Sequence, residues 1–311
     1  MGSLLRLVRR AWDRHRIEER LFTLSQELPR RDFLKGIALL GAGAALGFDG
    51  VHEVNELRVE SREIHLRRLP AAFDGFRLVQ LSDIHFSELM TQDHLRRIVD
   101  AVNAQRPDLV ALTGDYVTMT YRGNCDQRAQ DAWPCAQVLR DIKARHGQVA
   151  VLGNHDLDTN AAIVSEALKA NQIPVLRNRS IPIEAAGARF WLAGMDNVLE
   201  GKPDPEAMLR GVPAGECVVL AVHEPDCADR MRRYPIDLQI SGHSHGGQIR
   251  LPLIGPLYLP PGARKYPMGY YNFGSLQLYT NRGVGVIHVP VRFLCPPELT
   301  VLTLRHDRSR S

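Results

Sequence analysis

Asp83-Ile84-His85 and Gly242-His243-Ser244-His245 stand far apart in the chain and together supply four side chains able to hold a metal ion. Between them lie Gly114-Asp115, Gly153-Asn154-His155-Asp156 and His223. Carboxylate oxygen and imidazole nitrogen suit Mn, Fe, Zn and similar divalent ions, whereas a soft-metal site would draw on cysteine. None of the five cysteines falls within these blocks. Two such ions roughly 3.5 to 4 Å apart can share a bridging carboxylate and a bridging hydroxide, clamp a phosphoryl group and make an attacking oxygen available near neutral pH. The set describes a two-metal hydrolytic centre.

Taken singly, Asp-x-His is often a capped turn, and Gly-Asp and Asn-His-Asp are ordinary turn and helix-cap chemistry. Their shared context separates them from that background. Asp83, Asp115 and Asn154 each follow an apolar run: Phe76 to Leu81, Leu109 to Leu112, and Val149 to Leu152. Runs of this length separated by helical stretches predict parallel strands, and an open α/β sheet binds ligands beyond the carboxyl ends of its strands. His223 after Cys217 to Val222, and His243 after Ile236 to Ile240, repeat the arrangement. Of twelve histidines, five (His85, His155, His223, His243 and His245) stand in the blocks; the other seven have no comparable company.

The order DxH, GD, GNHD, H, GHxH resembles the calcineurin-like metallophosphoesterases, with every block present without substitution from about Phe76 onward. The resemblance implies a four-layer αββα sandwich with two mixed β-sheets and the metals at the sheet edges. It implies that Asp83, His85 and His245 hold one metal, that Asn154, His223 and His243 hold the second, and that Asp115 bridges them. It also gives His155 the role of general acid toward the leaving oxygen, with Asp156 as its orienting partner. The other reading of His155, a hydrogen-bond donor behind the ligands, stays open.

A second feature lies near the N-terminus. Pro29-Arg30-Arg31-Asp32-Phe33-Leu34-Lys35, followed by the Gly/Ala-rich apolar stretch Gly36 to Leu46, resembles a twin-arginine export signal. It departs from that pattern in Pro29, where Ser or Thr is usual, and in the long stretch that precedes it. The apolar part is shorter than the ~20 residues of a membrane span. No single cleavage site stands out, so a cleaved signal and an uncleaved anchor both stay open. Leu4 to Leu28 places apolar residues at helical spacing with arginines between them, which suits an anionic membrane surface or a solvated extension. Residues 1–50 are thus expected to form the extension and signal, and residues 51–311 the catalytic domain.

The first 45 residues hold nine Lys/Arg and five Asp/Glu; of the chain totals of 39 and 35, the remainder carries 30 of each. A neutral domain lacks the basic footprint that phosphate neutralisation requires of a nucleic-acid binder, so DNA and RNA are not expected partners. Helices are expected at 92–105, around 129–145 and at 160–171. Strands are expected at 59–66, which would form an edge, and beyond Pro174 at 181–183, 189–193, 248–251, 276–279 and 298–303.

The Pro/Gly/Tyr-rich stretch from Leu253 to Phe273 predicts a long loop near the metals. In it Arg264 and Lys265 are candidates for a substrate phosphate, and Tyr266, with Tyr270 and Tyr271, for a base, sugar or acyl chain. Trp133 is a weaker candidate for a cap over the site. Cys125 and Cys135, flanking a short polar segment, are the preferred disulfide pair in an exported chain, with at least one of the five cysteines left over.

These observations lead to an exported phosphohydrolase with two divalent metals, in which a metal-held hydroxide attacks phosphorus. Because twin-arginine substrates cross already folded, metal loading in the cytoplasm favours Mn or Fe, with Zn the alternative. The expected partners are the twin-arginine translocation machinery, a membrane surface and a phosphodiester or pyrophosphate substrate that is lipid-linked or from the cell envelope. A phosphomonoesterase or nucleotide hydrolase is the second reading. A metal-free binding protein on the same fold is the third; such a protein would be expected to have lost ligands, and all seven are present.

Overall fold

Alternation within short apolar runs decides how the chain layers. The computed structural model describes residues 53–119 and 124–307; the expectations for Leu4 to Leu28 and for the signal segment lie outside them. Among the described residues the elements run β1 (Arg58–Leu66), β2 (Phe76–Leu81), α1 (Gln92–Ala104), β3 (Leu109–Leu112), α2 (Cys125–Ala129), α3 (Ala132–Leu139), β4 (Gln148–Ala150) and α4 (Asn154–Ala170). There follow β5 (Arg179–Ala185), β6 (Ala188–Gly194), α5 (Pro205–Met208), β7 (Val218–Ala221), α6 (Ala228–Met231), β8 (Leu238–Ser241), β9 (Arg250–Leu251), β10 (Gly255–Pro256), β11 (Gly269–Asn272), β12 (Gln277–Thr280) and β13 (Glu298–His306).

One sheet has the order β1-β13-β2-β3-β4 and the other β11-β12-β8-β7-β6-β5, each with parallel and antiparallel neighbours. Successive residues of a strand face opposite sides, and here both sides are covered. Leu78, Leu109, Ala111 and Val149 meet Phe190, Leu192, Val219 and Ile240 in a core between the sheets. Their neighbours Val79, Leu81, Val110 and Leu112 pack beneath the helices that carry Leu95, Ile98, Leu139 and Val164. On the far side Val218 and Leu220 pack with Met208 of α5 and Met231 of α6. The result is the αββα sandwich with two mixed sheets, its second helical layer thin.

β2 and β3 occupy the two runs read from the sequence, and β1 is an edge strand as expected. Three expectations need correction. The helix expected from Asn160 starts at Asn154, because the chain makes two helical pieces joined at Asn160 (φ −168°, ψ 98°), whose Oδ1 caps Ala162 and Ile163. The strand expected over 248–251 shrinks to two residues, since Gln248 turns left-handed (φ 53°) and Arg250–Leu251 forms its ladder with Gly255–Pro256 in a small hairpin that joins neither large sheet. The long loop after Leu253 contains that hairpin's return strand and β11, the outer edge of the second sheet.

The expected Cys125–Cys135 bridge is absent. All five cysteines are free: Cys125 opens α2, half-buried, while Cys135 is sealed into the core between α3 and its neighbours. Trp133 packs partly buried against that same core. Among the described residues no helix is long and apolar enough to cross a membrane.

The centre of the inter-sheet core is Phe190, set edge-on to Phe73 and Phe76 with ring centroids 4.9 and 5.3 Å away. Phe190→Ala is expected to cost about 3–5 kcal/mol, and Phe190→Leu distinctly less, in urea unfolding. Equal losses would mean that the edge-on aromatic contacts, which neither variant can make, outweigh the volume filled.

Candidate metal centre

The strands of both sheets deliver the polar blocks to one place. Asp83 lies two residues beyond β2, Asp115 three beyond β3, His223 two beyond β7 and His243 two beyond β8; Asn154 begins α4 just after β4. Three of these residues and two that follow closely leave the strands in left-handed backbone: Asp83 (φ 52°), Asp115 (φ 57°) and His243 (φ 67°), with His85 (φ 50°) and His245 (φ 48°). Each such residue costs on the order of 1–3 kcal/mol and persists only where surrounding bonds over-determine it. Here the Asp83 and His85 amides donate to the Gly114 and Asp115 carbonyls at 3.0 Å, and the His243 amide donates to both oxygens of Asp83 at 3.0 and 3.1 Å.

The turns bring together three overlapping donor groups: Asp83, His85 and His245; His85, Asp115 and His155; and Asp115, His223 and His243. All of these side chains are buried. Oδ2 of Asp115 sits between the two outer groups, 3.6 Å from Nε2 of His85 and 3.1 Å from Nε2 of His223. Oδ1 of Asp83 is 3.5 Å from Nε2 of His245. Asn154 adds an Oδ1 that is buried without a hydrogen-bond partner.

Backbone carbonyls fix two ring orientations. Nδ1–H of His223 donates to the Thr113 carbonyl at 2.7 Å, which leaves Nε2 turned to Asp115 as the nitrogen that would coordinate once a metal displaces its proton. His243 is reversed: its Nε2–H donates to the Pro261 carbonyl at 2.8 Å, freeing Nδ1 for coordination. A carbonyl behind an imidazole sets its tautomer in this way at metal sites generally. The expected approach of the Leu253–Phe273 stretch to the site is made by Pro261.

The donor set fits a pair of divalent cations. Nε2 of His85 and Nε2 of His245 face each other at 3.0 Å, about the separation of two nitrogens bound at right angles to one ion at roughly 2.1 Å. Burial lowers His85 and His243 to about 3, keeping both imidazoles neutral, and pushes the Asp83 carboxyl up to about 6, so that its charged form calls for added positive charge. Burial also opposes charge on Asp115 and His223, but their mutual attraction wins, holding Asp115 well below the usual carboxylate range and raising His223 well above its ordinary value.

His155 and Asp156 enter with the first turn of α4. The Met119 amide donates to Nδ1 of His155 at 3.0 Å, so the proton of that ring sits on Nε2 and the ring is neutral. Its centroid lies 4.9 Å from that of His85. The Asp156 carboxylate has a different use from the one expected. Oδ2 accepts the Asp115 and Gly153 amides at 2.9 Å, and Oδ1 accepts those of Tyr116 at 2.9 Å and Val117 at 3.3 Å. Met119 thus orients the histidine, and Asp156 holds the loop that carries Asp115.

The three candidates for substrate contact are anchored elsewhere. Asp226 accepts the backbone amides of Arg264, Lys265 and Tyr266, the Lys265 ammonium pairs with Asp229, and the Tyr266 hydroxyl donates to Asp229 at 2.7 Å. Tyr266 also stacks with Tyr271 and Phe273, while Nε of exposed Arg264 donates to the Leu259 carbonyl at 3.4 Å. These bonds fasten the loop that carries Pro261. Thr113, Met119 and Pro261 act through backbone atoms, for which side-chain identity gives no signal.

A calcineurin-like phosphoesterase family model matches residues 76–247, and a model of the twin-arginine translocation pathway signal sequence matches residues 27–47. The chain is 36% identical over 290 residues to the metallophosphoesterase YkuE of Bacillus subtilis (strain 168), a match that covers 90% of this chain and 99% of the relative. It is 33% identical over 284 residues to the phosphodiesterase YaeI of Escherichia coli (strain K12), covering 89% and 99%. Among solved structures, a dimetal phosphatase from Danio rerio aligns with a TM-score of 0.43 at 14% identity, covering 68% of this chain and 88% of that one.

Two substitutions test this construction. A Cβ at Gly242 would lie 1.9 Å from Oγ of Ser82 and 2.3 Å from Oδ2 of Asp83. Gly242→Ala is therefore expected to displace Asp83 and lower bound metal, read by elemental analysis, while the far-ultraviolet circular dichroism stays that of the parent. Asp156→Asn turns an amide donor toward backbone donors and should cost about 1–3 kcal/mol for each N–H left unpaired. Thermal unfolding and metal content should fall together; unchanged values for both would show that Asp156 does not support the loop.

Proposed function

The chain belongs to the calcineurin-like phosphoesterase family, and from that premise we propose that it is an exported, two-metal phosphodiesterase or pyrophosphatase acting on a lipid-linked or cell-envelope substrate. The observation that carries the reading is the chain of three donor groups linked through shared members, the first to the second by His85 and the second to the third by Asp115. Asp83, His85 and His245 would hold one ion, and Asn154, His223 and His243 the other, with Asp115 common to both. Bound there, the pair would supply Lewis acidity and an attacking oxygen near neutral pH. Oxygen and nitrogen donors without thiolate, loaded before a folded chain crosses the membrane, favour Mn or Fe over Zn.

Residues 1–50 would be the targeting extension and signal, matched in part by the translocation model, and residues 51–311 the catalytic domain delivered beyond the inner membrane. Similarity to the phosphodiesterase of Escherichia coli supports a diester over a monoester. Metal-reconstituted full-length chain should turn over bis-aryl phosphates and lipid-linked pyrophosphates faster than mono-aryl phosphates and free nucleotides. A preference for monoesters would replace the diester reading.

The residues of the chain divide the remaining work. His223 and His243, locked by the Thr113 and Pro261 carbonyls, present one lone pair each without rotating. His155 has one proton, on Nε2, because the Met119 amide occupies Nδ1; from there it donates a hydrogen bond to the departing oxygen as that oxygen gains charge. Full transfer would leave an imidazolate, so the role proposed is stabilisation by a fixed donor rather than release of a proton.

Asp115→Asn should reduce bound metal below two ions per chain and turnover by on the order of 10²- to 10³-fold or more. Two tightly held ions and normal turnover in that variant would falsify the bridging role. For His155, Ala should lower turnover of an alkyl diester by about 10²- to 10³-fold, the usual worth of one positioned donor. Gln, which keeps an N–H, should recover at least part of that, and a nitrophenyl ester should be much less affected by either. Equal loss with Ala and Gln would point instead to a proton donor.

A further inference from the structure

Five large hydrophobic side chains among the described residues are exposed, and three of them gather in one corner: Leu253 at 108%, Ile254 at 70% and Leu294 at 48%. Leu253 and Ile254 form the tip of the β9–β10 hairpin, with Leu253 in left-handed backbone (φ 66°) that turns the tip outward. Leu294 reaches the same place because the chain beside it pairs with the hairpin base: the Arg250 amide donates to the Phe293 carbonyl, and the Phe293 amide to the Gln248 carbonyl, both at 2.9 Å. Gln248 ties in a third segment, donating to the carbonyls of Ile287 at 3.0 Å and Val289 at 2.9 Å and accepting the Ile287 amide at 2.9 Å. Ile287, Val289 and Val291 are only partly buried and continue the apolar surface.

This surface adjoins the candidate metal centre. The hairpin follows His245 within five residues, a Cβ on Gly247 would strike Pro256 at 2.3 Å, and the returning chain delivers the Pro261 carbonyl to His243. Two cations border it. Of the five Lys/Arg between Asp237 and Glu298, a stretch with no Asp or Glu, Arg282 and Arg292 are buried and Lys265 pairs with Asp229, which leaves Arg250 and Arg264. Arg250 at the hairpin base and exposed Arg264 both donate to backbone carbonyls, of Gly246 and Leu259. The N-terminal side of the chain arrives here too: Glu53 accepts the Cys295 amide at 3.4 Å, next to Leu294. From residue 47, where the signal match ends, six residues lead to Glu53, a reach of at most roughly 20 Å.

We propose that the β9–β10 tip with Leu253, Ile254 and Leu294 inserts into the surface of an anionic lipid bilayer, seating the metal centre against the membrane that the export signal addresses. Apolar side chains entering the acyl boundary beneath a basic rim are the physical pattern of such docking. Exposed leucine and isoleucine at a hairpin tip bury little against the described residues, and at most about 20 Å of chain separates Glu53 from the end of the signal match. The proposal does not depend on which phosphoester is cleaved.

The test uses the full-length chain and vesicles of phosphatidylethanolamine and phosphatidylglycerol. In Leu253→Trp, the emission gained over the parent should shift to shorter wavelength on adding vesicles and be quenched by lipids brominated on their acyl chains. The double change Leu253→Glu with Ile254→Glu should weaken vesicle partitioning by on the order of tenfold or more, with the melting temperature unchanged because both side chains are exposed. Added emission that stays unquenched overturns the proposal, since it reads the tip itself whatever the leader contributes to binding. Conversion of an oligomer to a monomer by the double change would also overturn it, giving the surface to a second copy of the chain. Both readouts are independent of turnover, so an inactive protein that still docks, and an active one that does not, are told apart.

Discussion

The Asp156 carboxylate accepts four backbone amides from the ends of two parallel strands, and the candidate metal centre rests on that set of bonds. Amides in left-handed turns cannot join a sheet ladder, and a buried N–H without a partner is costly. One side chain satisfies them for Asp115, Tyr116 and Val117 together and closes the first turn of α4 through Gly153. The support is returned, since Oδ1 of Asp115 accepts the His155 amide at 3.0 Å. The Asp115 carboxylate is thus placed by the backbone on which the neighbouring block sits, and the two blocks hold their shape only as a pair. Gly153 permits it: a Cβ there would lie 2.0 Å from Oδ1 of Asp115.

A similar logic operates under Asp83. The Arg292 guanidinium is fully buried and donates to the carbonyls of Arg282, Gly283, Gly285 and Cys295. A buried charge is costly unless its donors are met, and these carbonyls belong to the loop pressed against Asp83, with Gly285 donating to the Asp83 carbonyl at 2.8 Å and a Cβ on Gly283 falling 2.6 Å from that of Asp83. The left-handed turn at Asp83 is enclosed by Gly114 on one side and by this loop on the other.

Much of this architecture was legible in the residues. Apolar runs ending in Asp or His located β2, β3 and the strand ends that carry the donors, because a strand covered on both faces has a recognisable composition. The gathering of Asp83, His85, Asp115, His223, His243 and His245 followed from their common position beyond those ends. The finer roles were not legible. Asp156 next to His155 invited a side-chain pairing, whereas its partners are main-chain amides that every residue possesses. Lys265 and Tyr266 read as free for a substrate because Asp226 and Asp229, about forty residues earlier, cannot be assigned to them by spacing. Cys125 and Cys135 read as a pair for want of any sign that Cys135 turns into the helical core.

The order β1-β13-β2 has a bearing on when the chain becomes complete. β1, the first strand after the export segment, forms its ladder with β13 alone, Arg58 opposite Glu298 through to Leu66 opposite His306. A ribosome releases residues in sequence, so β1 waits, edge unpaired, until β13 has emerged; only then can it dock beside the strand that separates it from β2. The stretch that links signal to domain is therefore secured late, and its docking reports that β13 has been made. For a route that accepts folded proteins, the signal is wired through the sheet to a strand far along the chain.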